Sequence, residues 1–413
     1  MGTFLIDHPN REIPPLKEML SGSNSTVDHF FDFQDLYFGS FKDECDILGR
    51  IKKDQEFILT PSFNVKRTPV IALRSKLSRV PLIVYHSEQF FQDYLDDEKL
   101  NLKFMDSYIK DVHAHFVWGD YFKGRLIDAG IPEEKIFVVG NIKTIFAKNK
   151  NTNQEETEFD YLFLSNFVLA DYDDDRLESF RAEFSLPDDY APVSYVASCR
   201  KGMFSFILRV AQEFPNKKIL VRRHPGEDLS PYEKLSEEHN VFLSSDGPIV
   251  DDIRASGLIL SQDSTSIFEC EAFGRPFMSV AFGKPDERYR AEPKNVFELM
   301  NVDLAFSILK SEIIGPVDKP FGLPKETMNF YVRQYVDYSN FLEALEKVQR
   351  MNHSYSYGFS FLKNLSLVTA KYLVWKLTFS SYLKVLFRPV KRRLLLGQER
   401  WMQQDHYFDK SKV

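Results

Sequence analysis

The feature that most constrains what this 413-residue chain can fold into is an alternation that starts near residue 56. A short apolar run is followed by a polar turn and then by a longer segment with helical spacing. The runs Glu56–Leu59, Pro81–Tyr85, His115–Trp118 and Ile136–Val139 are short and rich in β-branched and aromatic residues, as buried parallel strands are. Between the last two of these runs, the segment Asp120–Ala129 places Phe122, Leu126 and Ala129 at helical spacing and stops at Gly130 and Pro132. The pattern resumes at Tyr161–Leu164, Lys218–Val221, Val241–Leu243, Leu258–Leu260 and Phe277–Val280. Strands alternating with helices predict an α/β fold with parallel sheets.

The stretch from Lys148 to Glu156 contains no apolar residue and cannot feed a core, so it reads as a linker between two α/β domains. The expected boundaries are a first domain over residues 1–147, a linker over 148–158, a second domain over 159–345 and a tail over 346–413. Two such domains leave a cleft, and ligands of open α/β sheets sit outside the carboxyl ends of the strands. The search for function therefore begins at strand ends.

Charge narrows the partners. Lys and Arg number 53 against 60 Asp and Glu, a formal net charge of −7, so the global cationic footprint of a nucleic-acid binder is absent. Cys45, Cys199 and Cys270 lie far apart and form neither a disulfide framework nor a zinc-ligand spacing. The amino terminus has no basic segment leading into an apolar run, which predicts a cytoplasmic protein. The greasiest stretch, Leu373–Phe387, is interrupted by Lys376 and Lys384 and falls short of the ~18 apolar residues of a spanning helix. Between Phe361 and Arg400 nearly every charge is positive and is interleaved with Tyr, Trp, Phe and Leu. That pattern fits peripheral attachment to an anionic inner membrane surface. It equally fits a helix packed back on the domains.

Two strings carry chemistry. In Leu220–Glu227 an apolar run delivers Arg222, Arg223 and His224 to a strand end, where Pro225 and Gly226 turn the chain. Guanidinium and imidazole groups there would give charge-assisted hydrogen bonds to a phosphate. The alternative is a turn with solvated arginines. In the second string, Leu258–Leu260 leads into Ser264, Thr265 and Ser266, then a helical segment containing Glu269 and Glu271, then Gly274-Arg275-Pro276. Hydroxyls at a helix N-terminus make an anion site without a metal, or serve simply as caps. The acidic run Asp173-Asp174-Asp175 reads as a solvated loop or helix start rather than a metal site.

Together, His224-Pro225, Ser264-Thr265-Ser266, Glu269 and Gly274-Arg275-Pro276 resemble the donor-binding half of GT-B glycosyltransferases that build bacterial capsule and lipopolysaccharide. The segments Phe116–Gly119 and Lys135–Asn141 resemble the end of the amino-terminal domain in the same enzymes and in CDP-glycerol glycerophosphotransferases. The resemblance spans roughly residues 55–285 and implies two Rossmann-like domains facing across a cleft, followed by a basic amphipathic helical tail. It implies that His224 contacts the donor phosphate with Arg222 and Arg223 beside it, that Ser264, Thr265 and Ser266 hold the same group, and that Glu269 binds the ribose. Cys270 stands where that pattern has Ala, which leaves Glu271 as a second candidate for the ribose. No metal and no cofactor are implied beyond the nucleotide-sugar substrate.

A transfer reaction needs a general base from the first domain. The candidates are His86 and Glu88, which follow the apolar run ending at Val84 and share one side of an extended segment. A helix cap plus a structural histidine is the alternative. Ser62 and Lys66 follow another strand and are weaker candidates.

The expected function is a metal-independent inverting glycosyltransferase that moves a CMP-linked acidic sugar to a surface glycan or lipid-linked acceptor. The alternatives are a CDP-polyol phosphotransferase, a sugar-nucleotide 2-epimerase and a non-catalytic scaffold. A nicotinamide dehydrogenase is disfavoured because no strand is followed by G-x-G-x-x-G.

Overall fold

The computed structural model describes residues 3–6, 16, 19, 26–30, 55–60, 75–86, 112–149, 157–184, 190–245, 247–289, 298–311, 329–333 and 337–351. Within them the chain builds two six-stranded sheets. The first contains β1 (Thr3–Ile6), β2 (Thr26–Phe30), β3 (Gln55–Thr60), β4 (Leu82–Tyr85), β5 (Ala114–Val117) and β6 (Ile136–Val138) in the order β2-β1-β3-β4-β5-β6. The second contains β7 (Phe159–Leu164), β8 (Ile219–Arg222), β9 (Val241–Leu243), β10 (Ser256–Ser261), β11 (Phe277–Ala281) and β12 (Met300–Asn301) in the order β12-β11-β10-β7-β8-β9. Every strand pair is parallel. The fold is α/β with two Rossmann-like units, and no helix among the described residues is long and apolar enough to cross a membrane.

The nine apolar runs read from the sequence all fall on strands. The alternation starts earlier than residue 56, however, because β1 and β2 complete the far side of the first sheet. These strands are only four and five residues long, and β2 carries Asp28 and His29 among its apolar residues, so neither stands out as a buried run. The two-residue β12 is shorter than any pattern can register.

The helices longer than one turn among the described residues are α1 (Asp120–Asp128), α2 (Ile142–Asn149), α3 (Asp174–Phe184), α4 (Val193–Glu213), α5 (Ile249–Arg254), α6 (Ile267–Ala272), α7 (Val302–Lys310) and α8 (Tyr338–Arg350). Helix α1 runs where the spacing placed it. Helix α2 extends to Asn149, so the first two linker residues are helical, and 150–156 lie outside the described residues. Helix α4 buries Cys199, Met203, Phe206, Ile207 and Val210, a stripe at i, i+4, i+7, i+8 and i+11, against Phe163, Ile219 and Val221 of the second sheet.

The chain does not stay with the second unit up to residue 345. Residues 329–333 return to the first sheet, where the Arg333 amide donates to the Trp118 carbonyl at 2.9 Å. Gly119 permits this crossing, because a Cβ there would sit 2.6 Å from the Phe330 carbonyl oxygen, closer than real contacts come. Helix α8 then lays Phe341, Ala344, Leu345 and Val348 into the core beneath the first sheet, and Phe341 meets the ring of Phe116 edge-on at 5.0 Å. The amphipathic stripe of α8 needs an apolar partner, and the first sheet supplies it. Residues 352–413, which include the basic tail, lie outside the described residues.

Candidate functional site

Counted from β7 as the first strand of its unit, the second sheet has the order 3-2-1-4-5-6, so strand order reverses between β7 and β10. Open α/β sheets bind ligands in the crevice outside that reversal. Here the loops after β7 and β10 meet: the Asn166 side-chain amide donates to the Asp263 carbonyl across the crevice at 3.1 Å. Asp263 has φ +49°, a left-handed conformation that non-glycine residues adopt sparingly and that clusters at ligand clamps. Next to it Gln262 is buried, accepts the Phe282 amide at 3.0 Å and reaches toward Tyr195 and Cys199 on α4. Burial pushes the Tyr195 hydroxyl and the Cys199 thiol up from their ordinary values, so both stay protonated near neutrality.

The loop after β8 adds the second wall. Its two arginines do different things. Arg222 pairs with Asp252 at 2.6 Å and donates to the Gly247 carbonyl, so its guanidinium is committed to the β9–α5 side of the sheet. Arg223 turns back on its own loop and donates to the Glu227 carbonyl at 3.0 Å. His224 is exposed, and its Nδ1 accepts the Gly226 amide at 3.1 Å. That bond fixes the ring so that Nε2 carries the proton when the imidazole is neutral.

Glu227 holds this loop in place, a role that the sequence reading left unassigned. Its carboxylate is 3% exposed and accepts from the Ser165 hydroxyl at 2.8 Å, the Phe167 amide at 2.7 Å and the Tyr232 hydroxyl. Burial pushes the Glu227 carboxyl up, while these three donors oppose the shift. Because Ser165 and Phe167 follow β7, Glu227 ties the His224 loop directly to the crevice. The spacing of a lone Glu after His-Pro carries no such signal, and its polar neighbours Arg223, His224 and Asp228 give no hint that it is buried.

The hydroxyl-rich turn also lies at the crevice, after β10. Ser264 is buried and its Oγ accepts the Ser266 amide at 3.3 Å, while Thr265 and Ser266 are part-exposed. The helix that follows, α6, has only six residues, so the dipole expected at its N-terminus is small and the hydroxyls are the larger resource. Glu269 on α6 is 5% exposed. Among the described residues its side chain has one partner, Lys143 on α2 of the first unit, with Nζ 3.7 Å from Oε1. Glu271 on the same helix is only part-buried.

In the first unit, His86 does not face a cleft. It is 4% exposed, its ring packs on Phe122 of α1, and its Nε2 lies 3.1 Å from His115 Nδ1. Alternation along the strand explains this: Tyr85 takes the opposite face, where its hydroxyl receives the Trp118 indole N–H at 3.1 Å and the Ile142 amide at 3.0 Å. Glu88, Ser62 and Lys66 lie outside the described residues. Asp173 accepts the Arg176 amide at 2.8 Å at the start of α3, and among the described residues no group of three or more His, Cys, Asp or Glu is arranged to hold a metal. A cavity of about 270 Å³ on the outer flank of the first unit, between Asp120, Lys123, Arg333, Glu343 and Lys347, contains none of the residues at the crevice.

No family model matches the chain, and no curated protein matches it in sequence. Solved structures do share the fold. A UDP-GlcNAc 2-epimerase from Methanocaldococcus jannaschii is similar at a TM-score of 0.53 and 14% identity, over 83% of this chain and 99% of the other. The UDP-GlcNAc 2-epimerase from Neisseria meningitidis bound to UDP-GlcNAc is similar at 0.52 and 14%, over 84% and 100%. The UDP co-structure of S. aureus MnaA is similar at 0.51 and 13%, over 84% and 94%. The expected CMP-sugar glycosyltransferase is corrected on this finding, because the first two of these structures are UDP-GlcNAc 2-epimerases, the class kept as an alternative, and the third holds UDP. The two Rossmann-like units of this chain share the GT-B-like fold of those structures.

Proposed function

We propose that the chain is a sugar-nucleotide 2-epimerase that binds a UDP-linked sugar in the crevice between the β7, β8 and β10 loops. The observation that carries the reading is Glu269, a carboxylate buried at the crevice with one cation 3.7 Å away and no hydrogen-bond donor among the described residues. Buried carboxylates are normally hydrogen-bonded, and ribose hydroxyls are donors of the right kind. The similar fold of proteins solved with UDP and UDP-GlcNAc supports the choice of nucleotide.

In this reading His224 Nε2–H and the hydroxyls of Ser264, Thr265 and Ser266 hold the diphosphate, with Arg223 adding positive charge as it braces the loop. Glu269 holds the ribose. Arg222 supports the loop through Asp252 and does not touch the nucleotide. Inverting C2 requires a proton to leave one face of the sugar and return to the other; the electron pair released at C2 forms a C1–C2 double bond as UDP leaves C1, and UDP re-adds at C1 as C2 is protonated from the opposite face, so an acid and a base are needed on opposite sides. These groups are sought in the first unit along the segment that runs on from His86, where Glu88 lies. No metal and no cofactor take part.

The test is incubation with UDP-GlcNAc in deuterated buffer, followed by proton NMR. The reading predicts deuterium at C2 and growth of the C2 epimer. Neither signal from UDP-GlcNAc, or from UDP-sugars lacking the N-acetyl group, would sink it.

A further inference from the structure

The same ion pair has a second consequence, which rests on the reading of Glu269 as a ribose ligand. Lys143 and Glu269 belong to different units: Lys143 is in the first turn of α2, which closes the first unit, and Glu269 is on α6 of the second. Their side chains are 17% and 7% exposed, so the pair is largely shielded from water. Lys143 is also held from the other side, with its ammonium 5.8 Å from the centroid of the Trp118 ring. Trp118 in turn meets Phe268, the neighbour of Glu269, edge-on at 6.2 Å. The start of α2 is fixed by the Tyr85 hydroxyl on the Ile142 amide and by Asn141, whose Oδ1 accepts the Lys143 amide at 2.9 Å.

We infer that Lys143 is a positioning residue that holds the Glu269 carboxylate in place and aimed at the ribose hydroxyls, so that the nucleotide site of the second unit is complete only when the first unit supplies its lysine. Three observations converge on this. The Glu269 side chain is buried, and Lys143 is its only charged partner among the described residues. At 3.7 Å the contact is electrostatic rather than a short hydrogen bond, which leaves the carboxylate able to accept hydrogen bonds from a ligand. The lysine is itself anchored by an aromatic ring and a capped helix start, so its position is set before ligand arrives. The predicted behaviour is ribose-specific. Removing the ammonium leaves the diphosphate groups untouched and weakens only the part of the affinity that comes from the 2′ and 3′ hydroxyls.

The experiment compares UDP with 2′,3′-dideoxy-UDP by isothermal titration calorimetry on the full chain, for the wild type, Lys143→Met, Lys143→Arg and Glu269→Gln. The wild type should prefer UDP about tenfold or more, the value of hydrogen bonds to a charged group. Lys143→Met should lose that preference while keeping the wild-type affinity for the dideoxy nucleotide, and Lys143→Arg should restore most of it. Lys143→Met and Glu269→Gln together should do no more than either alone. A Lys143→Met protein that keeps the wild-type preference overturns the inference and leaves the nucleotide reading standing. A wild type that binds UDP without preferring it over the dideoxy form, or that binds neither, overturns the Glu269 reading and this inference with it. Thermal melts of each variant accompany the titrations, and Lys143→Gln replaces Lys143→Met where the methionine variant is not folded.

Discussion

His86 and His115 share a hydrogen bond in the core of the first unit, with Nε2 of one ring 3.1 Å from Nδ1 of the other and the two rings stacked at 5.4 Å. One imidazole donates and the other accepts, so the accepting ring must be neutral, and two charges cannot share the contact. Burial pushes His86 down to about 3, and burial, His86 and Lys135 together push His115 well below its ordinary value.

The sign of the resulting pH dependence follows. Between about pH 3 and 6.5 the unfolded chain binds protons that the folded chain refuses, so acid destabilises the fold throughout that window. Each pH unit removes about 1.4 kcal/mol per buried histidine where the unfolded form is fully protonated. Urea midpoints measured from pH 7.5 down to 4.5 should fall steadily below 6.5, and His115→Phe should flatten the slope. A midpoint that does not move across this range would mean that the pair is hydrated and already protonated.

Glu227 is expected to matter for both stability and binding. Replacing it with Gln leaves three donors facing a group that offers only one acceptor, at a cost of about 1–3 kcal/mol. The urea midpoint should drop, and because Glu227 links the His224 loop to Ser165 and Phe167, affinity for UDP should fall with it. Loss of stability with unchanged affinity would show that the loop keeps its shape without the brace.

His224 and Arg222 are neighbours in the same motif with opposite expected phenotypes. His224 is exposed, so His224→Ala should leave the melting temperature of the free protein unchanged and reduce the UDP-induced rise, consistent with about a tenfold or greater loss of affinity. Arg222→Ala strands Asp252 in a part-buried site and should cost roughly 3 kcal/mol of stability. Thermal shift with and without UDP separates the two, and an Arg222→Ala protein of normal stability that fails to bind UDP would reverse their assigned roles.

Gly119→Ala should detach residues 329–333 from the end of β5, because the added methyl meets the Phe330 and Tyr331 carbonyls, which are backbone and cannot rotate away. Overpacking of this kind costs about 1–3 kcal/mol. Hydrogen exchange is the direct readout: the Arg333 amide, bonded to the Trp118 carbonyl, should lose protection while amides of the second sheet keep theirs.

Much of this could be read along the chain. Short β-branched and aromatic runs gave nine strands because a strand buried on both faces must be apolar throughout, and that demand is local. His224, Ser264, Thr265, Ser266 and Glu269 were singled out because strand ends are where open sheets place ligands, and they follow β8 and β10, two strands that flank β7 at the reversal of strand order. Glu227 escaped because its importance lies in Ser165, 62 residues earlier, and in Tyr232. The orientation of His86 escaped because one residue of register decides which face of the sheet a side chain takes, and the strand end could not be fixed to that precision. The carboxyl-terminal boundary at 345 escaped because the stripe on α8 declares that the helix needs a partner without saying which sheet it is.

By itself the sequence determined the class of fold, the two-unit plan and the residues offered at the strand ends, since each follows from local periodicity and turn chemistry. Only the tertiary structure decided which of those residues carry charge to the crevice and which are spent on holding it together. Arg222 went to Asp252, Arg223 to its own loop and Glu269 to Lys143 of the other unit. The reason is physical: a charge removed from water must find its counter-charge in space, and the partners that satisfy it here lie 30 residues away for Arg222 and Asp252 and 126 residues away for Lys143 and Glu269.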